Sequence, residues 1–64
     1  MHFVGKIIVN ENEEIYIFRS NIDYDFLKNF IDYLQVRTQR NYYMAYDDKY
    51  NLVYVYPETI KIIY

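Results

Sequence analysis

Two hydrophobic rhythms alternate along the chain. Residues 3–9 (FVGKIIV) and 14–19 (EIYIFR) are short β-branched and aromatic runs bounded by polar residues, which predicts two strands. Residues 10–13 between them (NENE) predict a turn, with asparagine taking any left-handed backbone position. The pair therefore reads as a hairpin. Gly5 falls inside the first strand, where a glycine suggests a bulge or a ring laid flat over the backbone.

After Ser20 the period lengthens. Ser20 and Asn21 are good helix N-caps, and Asp23 and Asp25 suit the positive end of a helix dipole. Ile22, Phe26, Phe30, Tyr33 and Leu34, together with Leu27 and Ile31, recur at three- and four-residue spacing and predict one broad apolar helix face. Asp25, Lys28, Asn29, Asp32 and Gln35 fall opposite. Arg37 and Arg40 suit the C-terminal end, and the helix should stop between Arg37 and Gln39. The short rhythm then returns in residues 42–46 (YYMAY), 51–56 (NLVYVY) and 59–64 (TIKIIY), separated by turns at 47–50 and at Pro57-Glu58. The predicted order is ββαβββ. It describes one α+β domain over residues 1–64, with a single helix packed on an antiparallel sheet of four or five strands.

Strand alternation divides the side chains between two sheet faces. Ile15 and Ile17 oppose Tyr16 and Phe18; Ala45 opposes Met44 and Tyr46; Val53 and Val55 oppose Leu52, Tyr54 and Tyr56. Compact aliphatics suit the side crowded by Phe26, Phe30 and Leu34. This places Ile15, Ile17, Ala45, Val53 and Val55 under the helix and leaves Tyr16, Phe18, Tyr46, Tyr54 and Tyr56 on an open aromatic face. Composition strengthens that expectation, because ten of the 64 residues are tyrosine. One helix cannot cover so many rings, and three or four of them approach the few-hundred-Å² patch that marks an interaction site.

The same composition narrows the chemistry. There is no cysteine and His2 is the sole histidine, so disulfides, thiolate zinc sites and polyhistidine metal sites are excluded, and no cofactor is expected. A domain this small buries only about 60% of its unfolded surface, which favours dense aromatic contacts and self-association. Seven cations stand against nine acids, a net charge of −2 that argues against an electrostatic grip on phosphate backbones. No apolar run is long enough to cross a bilayer, and the first residues lack the pattern of a signal peptide, so the expectation is a soluble intracellular protein. Tyrosine, isoleucine and asparagine are the commonest residues, and with lysine and phenylalanine they are read from A/T-rich codons, which suggests an A/T-rich genome, where tiny standalone proteins are often carried by phages, archaeal viruses or plasmids.

Catalytic signals are weak. Ser20, the sole serine, reads as a cap; no base or glycine elbow accompanies it. Glu13-Glu14, Asp23/Asp25 and Asp47-Asp48 read as solvated turn or helix-start acids, without the interleaving of a calcium loop. The expectation is a non-catalytic protein-binding module. Tyr16, Phe18, Tyr46, Tyr54 and Tyr56 would anchor a host protein, with proteins that handle nucleic acids among the candidates. Asp25, Asp32, Asp47 and Asp48 would steer it toward a basic groove. A homodimer formed through the open sheet face is also expected. In size and composition the chain looks like small viral anti-defence proteins, anti-CRISPR proteins among them, a likeness of general character that transfers no residue. The rival reading is a single-stranded nucleic-acid platform of Tyr16, Phe18, Tyr54 and Tyr56, with Arg19, Lys49 and Lys61 along the backbone.

Overall fold

In the computed structural model, which describes residues 2–60, four strands and one helix follow in the order β1 (Phe3–Asn10), β2 (Glu13–Arg19), α1 (Tyr24–Thr38), β3 (Tyr42–Asp47) and β4 (Leu52–Pro57). All neighbouring strands are antiparallel, and the sheet runs β1-β2-β4-β3. The α+β architecture is the one that the period changes predict. The expected fifth strand over residues 59–64 falls mostly outside the described residues; Thr59 lies in a turn that follows β4.

Local chemistry sets the element ends, in several places not where the sequence pattern suggests. The hairpin turn uses no left-handed residue; instead the Asn10 side-chain carbonyl accepts from the Asn12 amide at 3.0 Å. The helix begins two to three residues later than Asn21 or Ser20 would have it. Asp23 is the N-cap, its carboxylate accepting from the Asp25 amide at 3.3 Å, while Ser20 donates its amide to the Asn51 carbonyl at 2.9 Å. At the other end Gln39 takes the left-handed conformation (φ 60°), and its amide closes onto the Gln35 carbonyl. Asn51 is also left-handed (φ 55°) and therefore belongs to the β3–β4 turn and not to a strand. Pro57, expected at a corner, ends β4 as a buried residue opposite Tyr42.

Directly opposite residues in an antiparallel pair share a face, so the register fixes what the helix covers. Phe18 pairs with Val53, Tyr16 with Val55, Met44 with Val55 and Tyr46 with Val53. Ile17 and Ala45 both pair with Tyr54. Val53 and Val55 lie under α1 as expected, and Tyr54 and Tyr56 lie on the open face. The assignments of β2 and β3 are reversed: Tyr16, Phe18 and Tyr46 are on the helix side, whereas Ile15, Ile17 and Ala45 are on the open side. The reason is volume. The stripe that α1 buries is the aliphatic set Leu27, Ile31 and Leu34, which leaves room for rings between helix and sheet. Phe18 and Tyr42 fill it and join Val53 and Val55 in the core. Among the described residues no buried side-chain polar atom lacks a partner.

The broad apolar helix face also divides. Leu27, Ile31 and Leu34 are buried, Phe30 is half-buried, and Phe26 and Tyr33 are more than half exposed. This division follows from width. Four strands spaced about 4.8 Å apart make a sheet about 19 Å across, and one helix with its side chains is about 10–12 Å wide. The buried stripe of the helix packs over Phe18 of β2, Val53 and Val55 of β4 and Tyr42 at the start of β3. β1 is left beyond its reach.

Candidate binding site

The uncovered half of the helix side forms a cleft of about 720 Å³ between α1 and the β1–β2 hairpin. Its floor is Phe3 of β1 with Tyr16 and Phe18 of β2. Its wall is Ile22, Phe26 and Phe30, and its mouth is flanked by His2 and Asp23. The rings hold one another in place by edge-to-face contacts: Phe3–Phe18 at 5.4 Å, Phe18–Phe30 at 5.4 Å and Tyr16–Phe30 at 5.1 Å. Phe26 and Phe30, one helical turn apart, have nearly parallel ring planes, with centroids 6.5 Å apart. Beyond Tyr16 the cleft meets a smaller polar hollow of about 410 Å³ between the C-terminal half of α1 and the hairpin tip, lined by Lys6, Glu14, Tyr16 and Arg37 among others.

Tyr16 belongs to both compartments. Its ring lines the apolar cleft, while its hydroxyl donates to Glu14 at 2.9 Å. Burial, reinforced by the Glu14 carboxylate, pushes the phenol up to about 12. Glu14 is held below its ordinary range chiefly by that hydroxyl, with help from the Lys6 ammonium 3.4 Å away. Arg37 donates to the Tyr33 hydroxyl at 3.3 Å and stands 6.0 Å from that ring's centroid. The polar end is thus internally charge-balanced, and Asp23 at the far mouth has no such countercharge among these contacts.

On the other side of the sheet, Ile7, Ile15, Ile17, Ala45, Leu52 and Tyr54 form an apolar layer that none of the described elements covers, continued by Tyr43 and Tyr56 with rings 6.1 Å apart. Gly5 lies in this layer opposite Ile17, and a methyl group added there would meet nothing within 4 Å. The layer exists without needing its glycine. A polar margin of Glu13, Arg19 and Asp47 surrounds it.

The anchors predicted from sequence are therefore split between two surfaces. Tyr54 and Tyr56 stay on the open face. Phe18 is 4% exposed, a core residue whose edge lines the cleft; Tyr16 is half-buried beside it; Tyr46 is exposed on the helix side. The four-ring nucleic-acid platform is divided the same way, with Tyr16 and Phe18 on one face and Tyr54 and Tyr56 on the other. Of the acids, Asp25 and Asp32 are exposed on α1 and Asp48 in the β3–β4 turn. Asp47 is occupied locally: its carboxylate caps the Lys49 amide at 3.0 Å and accepts from the Tyr54 hydroxyl at 3.3 Å. Among the described residues no three acidic or histidine side chains gather closely enough to hold a metal ion, and no helix is long and apolar enough to cross a membrane.

Phe3, Ile22, Phe26 and Phe30 are cleft residues that face-counting assigns to strand and core. The signal that could have found them is the excess of apolar helix positions over what one buried stripe requires. No family model, curated protein or solved structure matches the chain.

Proposed function

We propose that this chain is a non-catalytic protein-binding module, and that its target is a host protein engaged at the aromatic cleft. The observation that carries the reading is the cleft itself. Six apolar side chains that a larger domain would seal are left around an open volume of about 720 Å³, within the range of sites that bury a ligand or a partner's anchor residues. The small size and the A/T-rich residue usage support a phage-, virus- or plasmid-encoded inhibitor or modulator acting in the host cytoplasm, similar in general character to anti-CRISPR and other anti-defence proteins.

The second surface has a separate role in this reading: the open sheet face joins two copies. The molecule is a slab with Cα extents of 28 × 25 × 16 Å. Its broad side is comparable with the ~800 Å² per partner of a standard stable interface. Two sheets stacked on Ile15, Ile17, Tyr54 and Tyr56 would leave both clefts outward and free.

Affinity capture from the natural host, followed by mass spectrometry, tests the first part. One host protein should be retained by the wild-type chain and lost with Phe26→Asp, a change at an exposed ring. Capture that is unaffected by that substitution, or no specific protein at all, overturns the reading. Light scattering tests the second part. A mass twice 8.0 kDa is expected, falling to the monomer value with Ile17→Asp.

A further inference from the structure

We propose that two copies stack their open sheet faces end for end, β2 lying antiparallel over β2, so that Glu13 of each copy pairs with the partner's Arg19. This rests on the reading that the open face joins two copies, and it adds the symmetry, the register and the ion pairs of that contact.

Charge is the first argument. Alternation along β2 places Glu13, Ile15, Ile17 and Arg19 on the open face. An acid stands at one end of the strand and a base at the other, about 20 Å apart at about 3.3 Å per residue. The two isoleucines sit evenly about the centre of the strand at Tyr16. Such a strand complements a copy of itself only when one of the two is turned end for end. Glu13 then meets the partner's Arg19, Ile15 meets the partner's Ile17, and each contact recurs in reverse. A twofold contact requires that reciprocity. The unturned arrangement, with its axis along the strands, sets the two arginines at one end and the two glutamates at the other.

Both charges are available for the pairing. Arg19 is exposed, and its side chain makes no hydrogen bond or ion pair among the described residues. The Glu13 carboxylate accepts from Thr59 and Asn10, which are neutral. These bonds hold the carboxyl below its ordinary range, with a smaller contribution from Arg40, so it is charged at neutral pH. Asp47, on the same row of the sheet as Arg19, is engaged within its own chain by the Lys49 amide and the Tyr54 hydroxyl. The pairs lie at the polar margin of the apolar layer. There they fix register more than they add affinity.

Shape is the second argument. Lys6, Tyr16, Val55 and Met44 form one row across the four strands, with side chains toward the helix. The proposed twofold axis runs along this row on the open side. Gly5, Ile17, Tyr54 and Ala45 flank it on one side, and Ile7, Ile15, Tyr56 and Tyr43 on the other. End-for-end stacking lays the first set on the partner's second. β2 and β4 are central, so the rotation of about 30° between aligned sheets displaces their contacts least. At the two borders the smallest residues fall opposite large ones. Gly5 faces the partner's Ile7, and Ala45 faces the partner's Tyr43. Ile7 and Tyr43 are about half exposed in the single copy. The contact thereby gives Gly5 a use. Its backbone is not left-handed, and a methyl group there would meet nothing within 4 Å, so one copy alone has no need of a glycine that weakens the strand.

Sedimentation equilibrium on the intact chain and its variants tests the register, with circular dichroism to confirm that each variant is folded. Glu13→Arg and Arg19→Glu each set like charges together at both ends, and each should weaken dimerisation roughly tenfold or more. The double variant Glu13→Arg/Arg19→Glu restores the pairs in reverse and should return to within about threefold of the wild type. Gly5→Leu should leave the fold intact and weaken the dimer roughly tenfold. The chain has no cysteine, so crosslinking can be read directly. Under mild oxidation a mixture of Glu13→Cys and Arg19→Cys chains should form the mixed disulfide dimer. Neither variant alone should do so, because its own two sulfurs would lie about 20 Å apart.

Wild-type dimerisation in both charge variants, or a disulfide dimer of either cysteine variant by itself, overturns the end-for-end register. If Ile17→Asp still yields a monomer in that case, the open-face dimer stands and only its register falls. A wild-type chain that stays monomeric at every concentration overturns both.

Discussion

β1 and β4 are near equals in hydrophobicity and opposites in burial. In β4, Val53 and Val55 are wholly buried. In β1, Phe3, Val4, Ile7, Ile8 and Val9 are all close to half exposed or more, with Ile8 at 66%. Sheet order separates them. β4 is flanked by β2 and β3 and lies under the helix; among the described residues β1 has one neighbouring strand and no element packed over it. A strand's composition states what it could bury, and its place relative to a lid of fixed width decides what it does bury. In this fold the surplus on β1 and on the flank of α1 becomes the cleft.

The sharpest way to break the contrast is to remove matched volume from each side. Leu27→Ala, beneath the helix, should cost about 2–5 kcal/mol, enough to leave a domain near the low end of the usual 5–15 kcal/mol range largely unfolded. Urea denaturation followed by tyrosine fluorescence would measure it. A loss below 1 kcal/mol would mean that the helix is not the lid described here. Next in size is the cap that starts the lid. Asp23→Ala should cost about 1 kcal/mol in the same assay, whereas Asp25→Ala, which contributes only its backbone amide to that cap, should cost less.

Alkaline titration probes the seam between cleft and polar hollow. The Tyr16 phenol is raised to about 12 in the folded chain from an ordinary 10.0. The unfolded chain therefore ionises first. The stability involved is fully present below pH 10 and is lost as pH rises toward 12. Because the hydroxyl keeps contact with solvent, the loss is smaller than the shift alone implies. Tyr16→Phe should flatten that limb of the stability profile; an unchanged limb would assign it to other tyrosines. Glu14 acts on the acid side with opposite sign. Its depressed carboxyl contributes stability above about 4.5 that is lost as pH falls below it. The smallest effect belongs to β1. Ile8→Ser should change stability by no more than about 0.5 kcal/mol, and a loss of several times that would show that something already covers Ile8.

Most of the architecture was legible in the chain. The change from strand-length runs to three- and four-residue spacing at Ile22 and back at Tyr42 gives the four strands and the helix in their order. The relative phase of the strands was not. Alternation groups Tyr16 with Phe18 and Ile15 with Ile17, but only the pairing of Phe18 with Val53 shows which group meets the helix, and pairing is a long-range property. Preferring aliphatics beneath the helix fails because Leu27, Ile31 and Leu34 are themselves slender. The candidate site was legible in part: an excess of rings predicts an uncovered aromatic surface, and there are two. The residues of the cleft were hidden because Phe26 and Phe30 satisfy the same spacing rule as true core positions.

The two irregularities in β1, where pairing with β2 slips between Phe3 and Gly5 and again between Ile8 and Asn10, bear on the behaviour of the chain at high concentration. An apolar border strand with a free ladder of amides and carbonyls invites endless strand-on-strand growth. Here the even stretch is only the four residues from Gly5 to Ile8, with a lysine inside it, too short and too charged to seed a fibril of the six- or seven-residue kind. The chain can thus leave a greasy margin exposed without polymerising along it.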